Sequence, residues 1–134
     1  MTDSLAVRIV LVAAAGGCGA LARWGLAAGT QSLLGDRWPW GTLLVNVLGC
    51  FAFGVILAIC HRRGEDGEFM KLLLLTGFAG ALTTYSTFAF ESYDLATTRS
   101  VFSAAWHIAL HLALGILAMA AGIAVAGGLD AKGV

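Results

Sequence analysis

Residues 77–91, GFAGALTTYSTFAFE, join an apolar context to a dense polar cluster. Leucine, alanine and phenylalanine dominate both flanks, yet five hydroxyl residues, TTYST, stand in a row at 83–87. A polar group in hydrocarbon costs several kcal/mol when it finds no partner in protein or water. The hydroxyl row is therefore expected either to join helices or to line a route for something small and polar.

The rest of the chain has the composition of a membrane protein. Of its 134 residues, 59% are hydrophobic and only 12% are charged, whereas soluble domains carry about 25% charged residues. The net charge at pH 7 is zero and the mean hydropathy is +0.86. We expect one small membrane domain over residues 1–134, in contact with lipid and without a nucleic-acid partner.

Four apolar stretches are each long enough to cross a hydrocarbon core about 30 Å thick, for which a helix needs about 20 residues. They cover residues 9–29, 41–60, 72–90 and 101–129, and Arg23 is the only charge within them. The segments between them, GDRWP, HRRGEDGEFMK and ESYDLATTR, are charged or turn-forming and are predicted to be loops. The chain is thus predicted to be an all-α membrane protein with four transmembrane helices.

Lys and Arg show only a small bias between the two sides of this arrangement. The side with both termini and the second loop holds five, and the other side holds two, or three with Arg23. A protein with one fixed orientation usually shows a larger bias. Insertion either way up and a simple preference for cytoplasmic termini both remain open. Since four short helices can hardly enclose a pathway alone, a homodimer is expected.

Polar residues in the first two spans each have two interpretations. Arg23 either faces a bundle interior or water, or snorkels to the interface beside Trp24. Asn46 either joins two helices or presents its amide donors to an anion.

Two histidines, His107 and His111, share one face of the fourth helix because they are four residues apart. No Cys, Asp or Glu in that helix completes a metal set, so a polar stripe facing water or a partner helix is favoured. A solvated charged rim is expected for Glu91, Asp94 and Arg99. No catalytic triad, phosphate loop or paired carboxylate stands in a plausible setting, so an enzyme is not expected.

Three motifs in order, GGCGALARW at 16–24, GTLLVNVLGCF at 41–51 and GFAGALTTYSTFAFE at 77–91, resemble the CrcB/Fluc family of fluoride channels. The resemblance spans nearly the whole chain. Members of this family are four-helix chains that form antiparallel, dual-topology homodimers. The resemblance implies a channel for passive fluoride efflux across a bacterial inner membrane.

The resemblance also assigns roles along the fluoride pathway. Asn46 matches the family's pore asparagine, and Arg23 matches its arginine in the first helix. Tyr85 and Phe88 stand where the family usually has two phenylalanines, so Tyr85 is the departure from the pattern. The implied pathway residues are Arg23, Asn46, Tyr85, Ser86, Thr87 and Phe88.

A structural sodium ion is the one cofactor that the resemblance implies. Gly80 and Thr83 match a broken turn of the third helix whose backbone carbonyls hold the ion at the dimer centre without transporting it. On this interpretation the glycines of the segment let the helix break.

Two rival functions remain open. A small exporter of cationic compounds or a proton antiporter would also be a compact dual-topology dimer, but it would be expected to carry an intramembrane carboxylate. A structural membrane subunit without transport is the other rival.

Overall fold

The computed structural model describes residues 4–63 and 67–127, which are helical almost throughout and contain no strand. The elements in chain order are α1 (Leu5–Leu34), α2 (Trp40–Arg62), α3 (Gly67–Met70), a π-helical segment (Lys71–Ala79), α4 (Gly80–Leu82), α5 (Tyr85–Thr98) and α6 (Val101–Val125). Elements α3 to α5 form one composite third helix over Gly67–Thr98. It and the three long helices are each long and apolar enough to cross a membrane, which confirms an all-α chain with four spans.

The third helix continues through residues 91–98, where the sequence predicts a loop. The helix restarts at Tyr85, so stopping at the end of the apolar stretch would leave less than two turns. Hydroxyls of the polar segment bond to carbonyls of the preceding turn, as Thr98 does to Asp94 at 2.7 Å. The turn to α6 is short because Ser100 caps α6 by accepting the Ser103 N–H at 3.1 Å. The predicted end of the fourth span at residue 129 lies outside the described residues.

Glycines bring the backbones of α2 and α6 into direct contact. A Cβ atom added at Gly54 would collide with the carbonyl oxygen of Met119, and one added at Gly122 would collide with that of Phe51. The hydrophobic effect does not drive helices together in lipid, so small residues at such crossings promote association by allowing close van der Waals packing. Helices α2 and α6 are therefore held together by close backbone packing at glycines rather than by large side chains.

Gly54→Ala or Gly122→Ala should lower the thermal stability of the protein in detergent, because the added methyl group forces the two backbones apart at a cost of about 1–3 kcal/mol. Gly115→Ala is the matched control on α6, where an added Cβ would meet only the Cys50 sulfur at 3.5 Å. Loss of the monodisperse gel-filtration peak on heating measures the effect. Equal melting of all three variants and the parent would contradict this packing.

The first helix packs on the π-helical segment in the same manner. A Cβ at Gly19 would collide with the carbonyl oxygen of Phe78, and a Cβ at Gly77 would lie 2.9 Å from the Cβ of Ala15. α1 also meets α2, since a Cβ at Gly41 would lie 2.7 Å from the carbonyl oxygen of Ala27, but Gly19 is its only buried residue among those described. A single chain therefore leaves a long apolar face on α1, with Trp24 73% exposed.

Candidate functional site

The break in the third helix is made by two threonines. Thr83 (φ −82°, ψ 158°) and Thr84 (φ −146°, ψ 116°) are extended between α4 and α5. Extended backbone suits β-branched residues, and the Thr84 hydroxyl caps α5 by accepting the Thr87 N–H at 3.3 Å. Gly80 remains helical at φ −63° and ψ −34°. The prediction that glycines let the helix break is thus wrong, because Gly77 serves the close approach of α1 instead.

Asn46 holds the break from the neighbouring helix α2. Its Oδ1 accepts the Thr84 N–H at 2.8 Å, and its Nδ2 donates to the Thr84 carbonyl at 3.2 Å. These two bonds satisfy backbone groups that the break removes from the helix, at a residue only 8% exposed. An amide nitrogen has two hydrogens, so one remains for another acceptor. Asn46 therefore joins helices and still has one N–H donor to offer.

A groove of about 320 Å³ runs beside the break on the side of α6. It brings together Asn46, Tyr85 and Phe88, three of the residues that the sequence assigns to the pathway, and adds His111. The ring centroids of Tyr85 and Phe88 are 5.8 Å apart, and those of Phe88 and His111 are 4.6 Å apart. The groove thus offers an amide and the edges or faces of several rings.

Arg23 and Thr87 line a second groove, of about 280 Å³, between α1, α2 and the break. Thr42 and Thr84 complete its polar lining, and Thr84 is common to both grooves. Ser86 is exposed, with its hydroxyl 3.5 Å from that of Thr84. In a single chain five of the six predicted pathway residues therefore line two separate grooves, and Ser86 is not among the lining residues of either.

Glu91 is not part of a solvated rim, in contrast to the prediction. Its side chain is only 20% exposed, and its Oε1 accepts a hydrogen bond from the Thr42 hydroxyl at 2.5 Å. Asp94 and Arg99 are exposed, as expected. The restarted α5 explains the difference, since it carries Glu91 past the end of the apolar stretch as a helical residue that faces α2.

The predicted histidine stripe faces a partner helix and the first groove. His107 is completely buried against α5, where its Nδ1 lies 3.0 Å from the Ser92 hydroxyl. His111 donates from Nδ1 to the His107 carbonyl at 3.1 Å, because a carbonyl oxygen can only accept. The sequence interpretation of a polar stripe is confirmed for the side that meets another helix.

Three site residues are absent from the sequence prediction. Thr42 lies one turn before Asn46 on α2, so the shared face of the helix pointed to it. Ser92 follows Glu91 in a segment assigned to a loop. Trp38 packs edge-on against His107 with ring centroids 5.8 Å apart, and nothing in the sequence pattern indicates that contact.

Comparisons with a family model and with individual proteins point to the same family. The family described as CrcB-like protein, Camphor Resistance (CrcB), matches residues 10–123. A fluoride-specific ion channel FluC from Nitratidesulfovibrio vulgaris is 44% identical over 109 residues, which are 81% of this chain and 88% of the relative. The proteins of that name from Dehalococcoides mccartyi and Nitrosococcus oceani are 41% identical over 109 residues and 38% identical over 118 residues. These two matches cover 81% and 88% of this chain, and 84% and 94% of the relatives. The chain belongs to the CrcB-like family.

Proposed function

We propose that this protein is a fluoride-selective channel, not an enzyme, that lets fluoride leave the cell passively across the inner membrane. The observation that carries the proposal is the groove at the helix break, where the Asn46 amide lies with the ring pair of Tyr85 and Phe88. Fluoride is small and strongly hydrated, so its route must replace water with neutral donors and avoid a trapping charge. Aromatic ring edges are electropositive and add to this lining.

The lining of the groove also separates a channel for an anion from a carrier of cations. Glu91 lies in a membrane-spanning helix, so the lack of an intramembrane carboxylate no longer argues against a cation carrier. However, no carboxylate is among the residues that line the groove at the break. A cation in that groove would meet rings, an amide and apolar side chains without a counter-charge.

Fluoride efflux from liposomes containing only this purified protein tests the proposal. Fluoride-loaded vesicles should release the ion to an electrode once a potassium ionophore dissipates the membrane potential, and chloride-loaded vesicles should release little chloride. Empty vesicles are the control. Proton-coupled exchange of a cation without fluoride release would indicate the carrier, and absence of all transport would indicate a structural subunit.

We propose in addition that the channel is an antiparallel homodimer. Both grooves are open in the single chain, and α1 exposes an apolar face over most of its length. Two chains in opposite orientations could cover these faces and bring the Arg23 side of one chain close to the pathway of the other. The excess of Lys and Arg on one side, five against two or three, is small and compatible with both orientations.

Forcing one orientation should abolish function in a homodimer of opposed chains. Added Lys residues in the loop at 35–39 should orient one copy, and Lys residues added before α1 should orient the other. Each copy expressed alone should give no fluoride flux, and the two expressed together should restore it. Full activity of one completely oriented copy would contradict the antiparallel dimer.

A structural sodium ion at the break is also proposed, and the donor set fits it. The Thr84 N–H bonds to Asn46, so the Gly80 carbonyl four residues earlier loses its helical donor. Within residues 4–63 and 67–127, no group of three or more His, Cys, Asp and Glu is arranged to hold a metal ion. Carbonyl oxygens of Gly80 and Thr83 would be the ligands, and such hard oxygen ligands suit sodium better than a soft metal. The bound cation would favour anions nearby through its charge.

Replacing sodium by a large organic cation should slow fluoride flux or loosen the dimer. Gly80→Val should act in the same direction, since even a Cβ there would lie 3.2 Å from the Leu75 carbonyl oxygen. Flux and the gel-filtration profile of the dimer are compared in sodium and in sodium-free buffer. Identical behaviour after unfolding and refolding without sodium, which excludes a trapped ion, would contradict the site.

A further inference from the structure

The hydrogen atoms of a buried cluster between α5 and α6 can be assigned from its heavy atoms. The Ser92 hydroxyl donates to the Phe88 carbonyl at 2.7 Å. Because a hydroxyl has one hydrogen, Ser92 must accept at its 3.0 Å contact with His107, so His107 carries a hydrogen on Nδ1. In a neutral imidazole the other nitrogen has none. Nε2 of His107 is therefore a bare acceptor when the ring is neutral.

That nitrogen faces a carboxylate oxygen that also lacks a donor. Nε2 of His107 lies 3.7 Å from Oε2 of Glu91, and within the described residues neither buried atom has a hydrogen-bond partner. The other carboxylate oxygen is satisfied by Thr42. Each buried acceptor left without a hydrogen carries a desolvation cost. One proton between them removes this cost, whether it resides on Oε2 or on Nε2.

A bridging water is the alternative to a shared proton. Water could donate to both atoms, and the 3.7 Å separation is longer than a direct hydrogen bond. It would nevertheless leave Glu91 ionised, and no Lys or Arg of the described residues lies within ion-pair distance of it. A mostly buried carboxylate without a cation is costly. A proton shared by the two groups therefore fits the cluster better than a water beside an ionised Glu91. The proton can be held directly, after a small approach of the two groups, or through a water.

We infer that Glu91 and His107 share one proton, so that the pair has no net charge beside the fluoride route, and that His107 is the positioning residue for the Glu91 carboxyl group. The inference rests on the proposed fluoride conduction. The pair adjoins the groove through Phe88, whose ring stacks on His107 with centroids 5.5 Å apart and planes at 28°. Loss of the shared proton would place a negative charge there and oppose an anion. Fluoride flux therefore falls as pH rises through this deprotonation.

Other titratable or charged groups surround the pair from each neighbouring element. His111 on α6 has its ring centroid 4.3 Å from that of His107. Tyr85 and Cys50 line the groove. The polar pocket that contains Glu91 is lined by two arginines and two further carboxylates: Asp36, Arg37, Asp94 and Arg99. Arg23 of α1 shares the second groove with Thr42.

Fluoride efflux from liposomes between neutral and alkaline pH tests the inference, with protein-free vesicles subtracted at each pH. Glu91→Gln keeps an acceptor for Thr42 and offers an amide donor to His107 without a proton to lose. Asp94→Asn is the matched control, since it removes an exposed carboxylate from the same pocket. From neutral to alkaline pH, the flux of the wild type and of Asp94→Asn should fall at least about tenfold. The flux of Glu91→Gln should stay nearly constant over the same range. Tyr85 and Cys50 are present in all three proteins, so they cannot cause the difference. The same fall in Glu91→Gln, or no fall in the wild type, overturns the inference.

Spectroscopy of the purified wild type shows whether the Glu91–His107 pair holds the proton, independently of transport. At neutral pH, an infrared band of a protonated carboxyl group that is missing in Glu91→Gln, or nitrogen-15 resonances of a doubly protonated His107, supports the shared proton. An ionised carboxylate beside a bare Nε2 overturns it. Absence of fluoride flux in every protein at every pH would contradict the proposed function, while these spectra would still decide the proton. If Glu91→Gln fails to fold, the nitrogen-15 spectrum of the wild type decides alone.

Discussion

Asn46→Asp should lower fluoride flux by at least about a hundredfold, because a carboxylate about 4 Å from the ion costs about 4 kcal/mol at an effective dielectric constant near 20. The substituted side chain can still accept the Thr84 N–H, as Oδ1 of Asn46 does at 2.8 Å. It can no longer donate to the Thr84 carbonyl, so two oxygens face each other where a 3.2 Å hydrogen bond stood. Flux is measured with a fluoride electrode on proteoliposomes of equal protein content.

Two further variants separate the charge from the loss of support. Asn46→Ala leaves both backbone groups of Thr84 without their partner, so it should also lose most of the flux while remaining a folded dimer of lower thermal stability. Cys50→Ala changes a residue one turn further along α2 in the same groove and should behave like the wild type. Flux near wild type in Asn46→Asp would exclude Asn46 as a residue of the pathway.

Much of the fold follows from the sequence because the bilayer imposes lengths. Stretches of about 20 apolar residues predict helices of that size; α2 covers the predicted stretch closely, and α6 begins at Val101 as predicted. The motif around Asn46 likewise predicts a residue at the centre of the site. In the structure Asn46, Tyr85 and Phe88 line the same groove.

The polarity of single residues misleads where a tertiary contact changes their environment. Glu91 appears in a charged segment, so the sequence predicts solvent, yet the restarted helix turns it to the Thr42 hydroxyl. The same applies to the break. Gly80 is the residue with conformational freedom, but the backbone opens at Thr84, because Asn46 on another helix satisfies its peptide groups. A sequence pattern carries no information about that partner.

Phe88→Ile should lower fluoride flux by about ten- to a hundredfold, the second large effect expected from the site. The Phe88 ring lies between Tyr85 and the two histidines, with centroids 5.8 Å from Tyr85 and 4.6 Å from His111. Isoleucine fills part of the volume but has no electropositive ring edge, and losing about 1.5–3 kcal/mol of such contacts corresponds to that factor. Fluoride-electrode efflux at neutral pH gives the measurement.

Tyr85→Phe, in contrast, should remain active, because it keeps the ring edge and restores the phenylalanine that the sequence resemblance implies at this position. The Tyr85 side chain is 81% exposed in the single chain, so removing its hydroxyl leaves no buried group without a partner. Phe90→Ile is the control for the loss of a ring on α5, since Phe90 is 67% exposed and is not among the residues lining the groove. If the ring edges solvate the ion, only Phe88→Ile among these three should lose flux. Inactive Tyr85→Phe together with active Phe88→Ile would transfer the role to the tyrosine hydroxyl, since a phenol can donate to fluoride where a phenyl ring cannot.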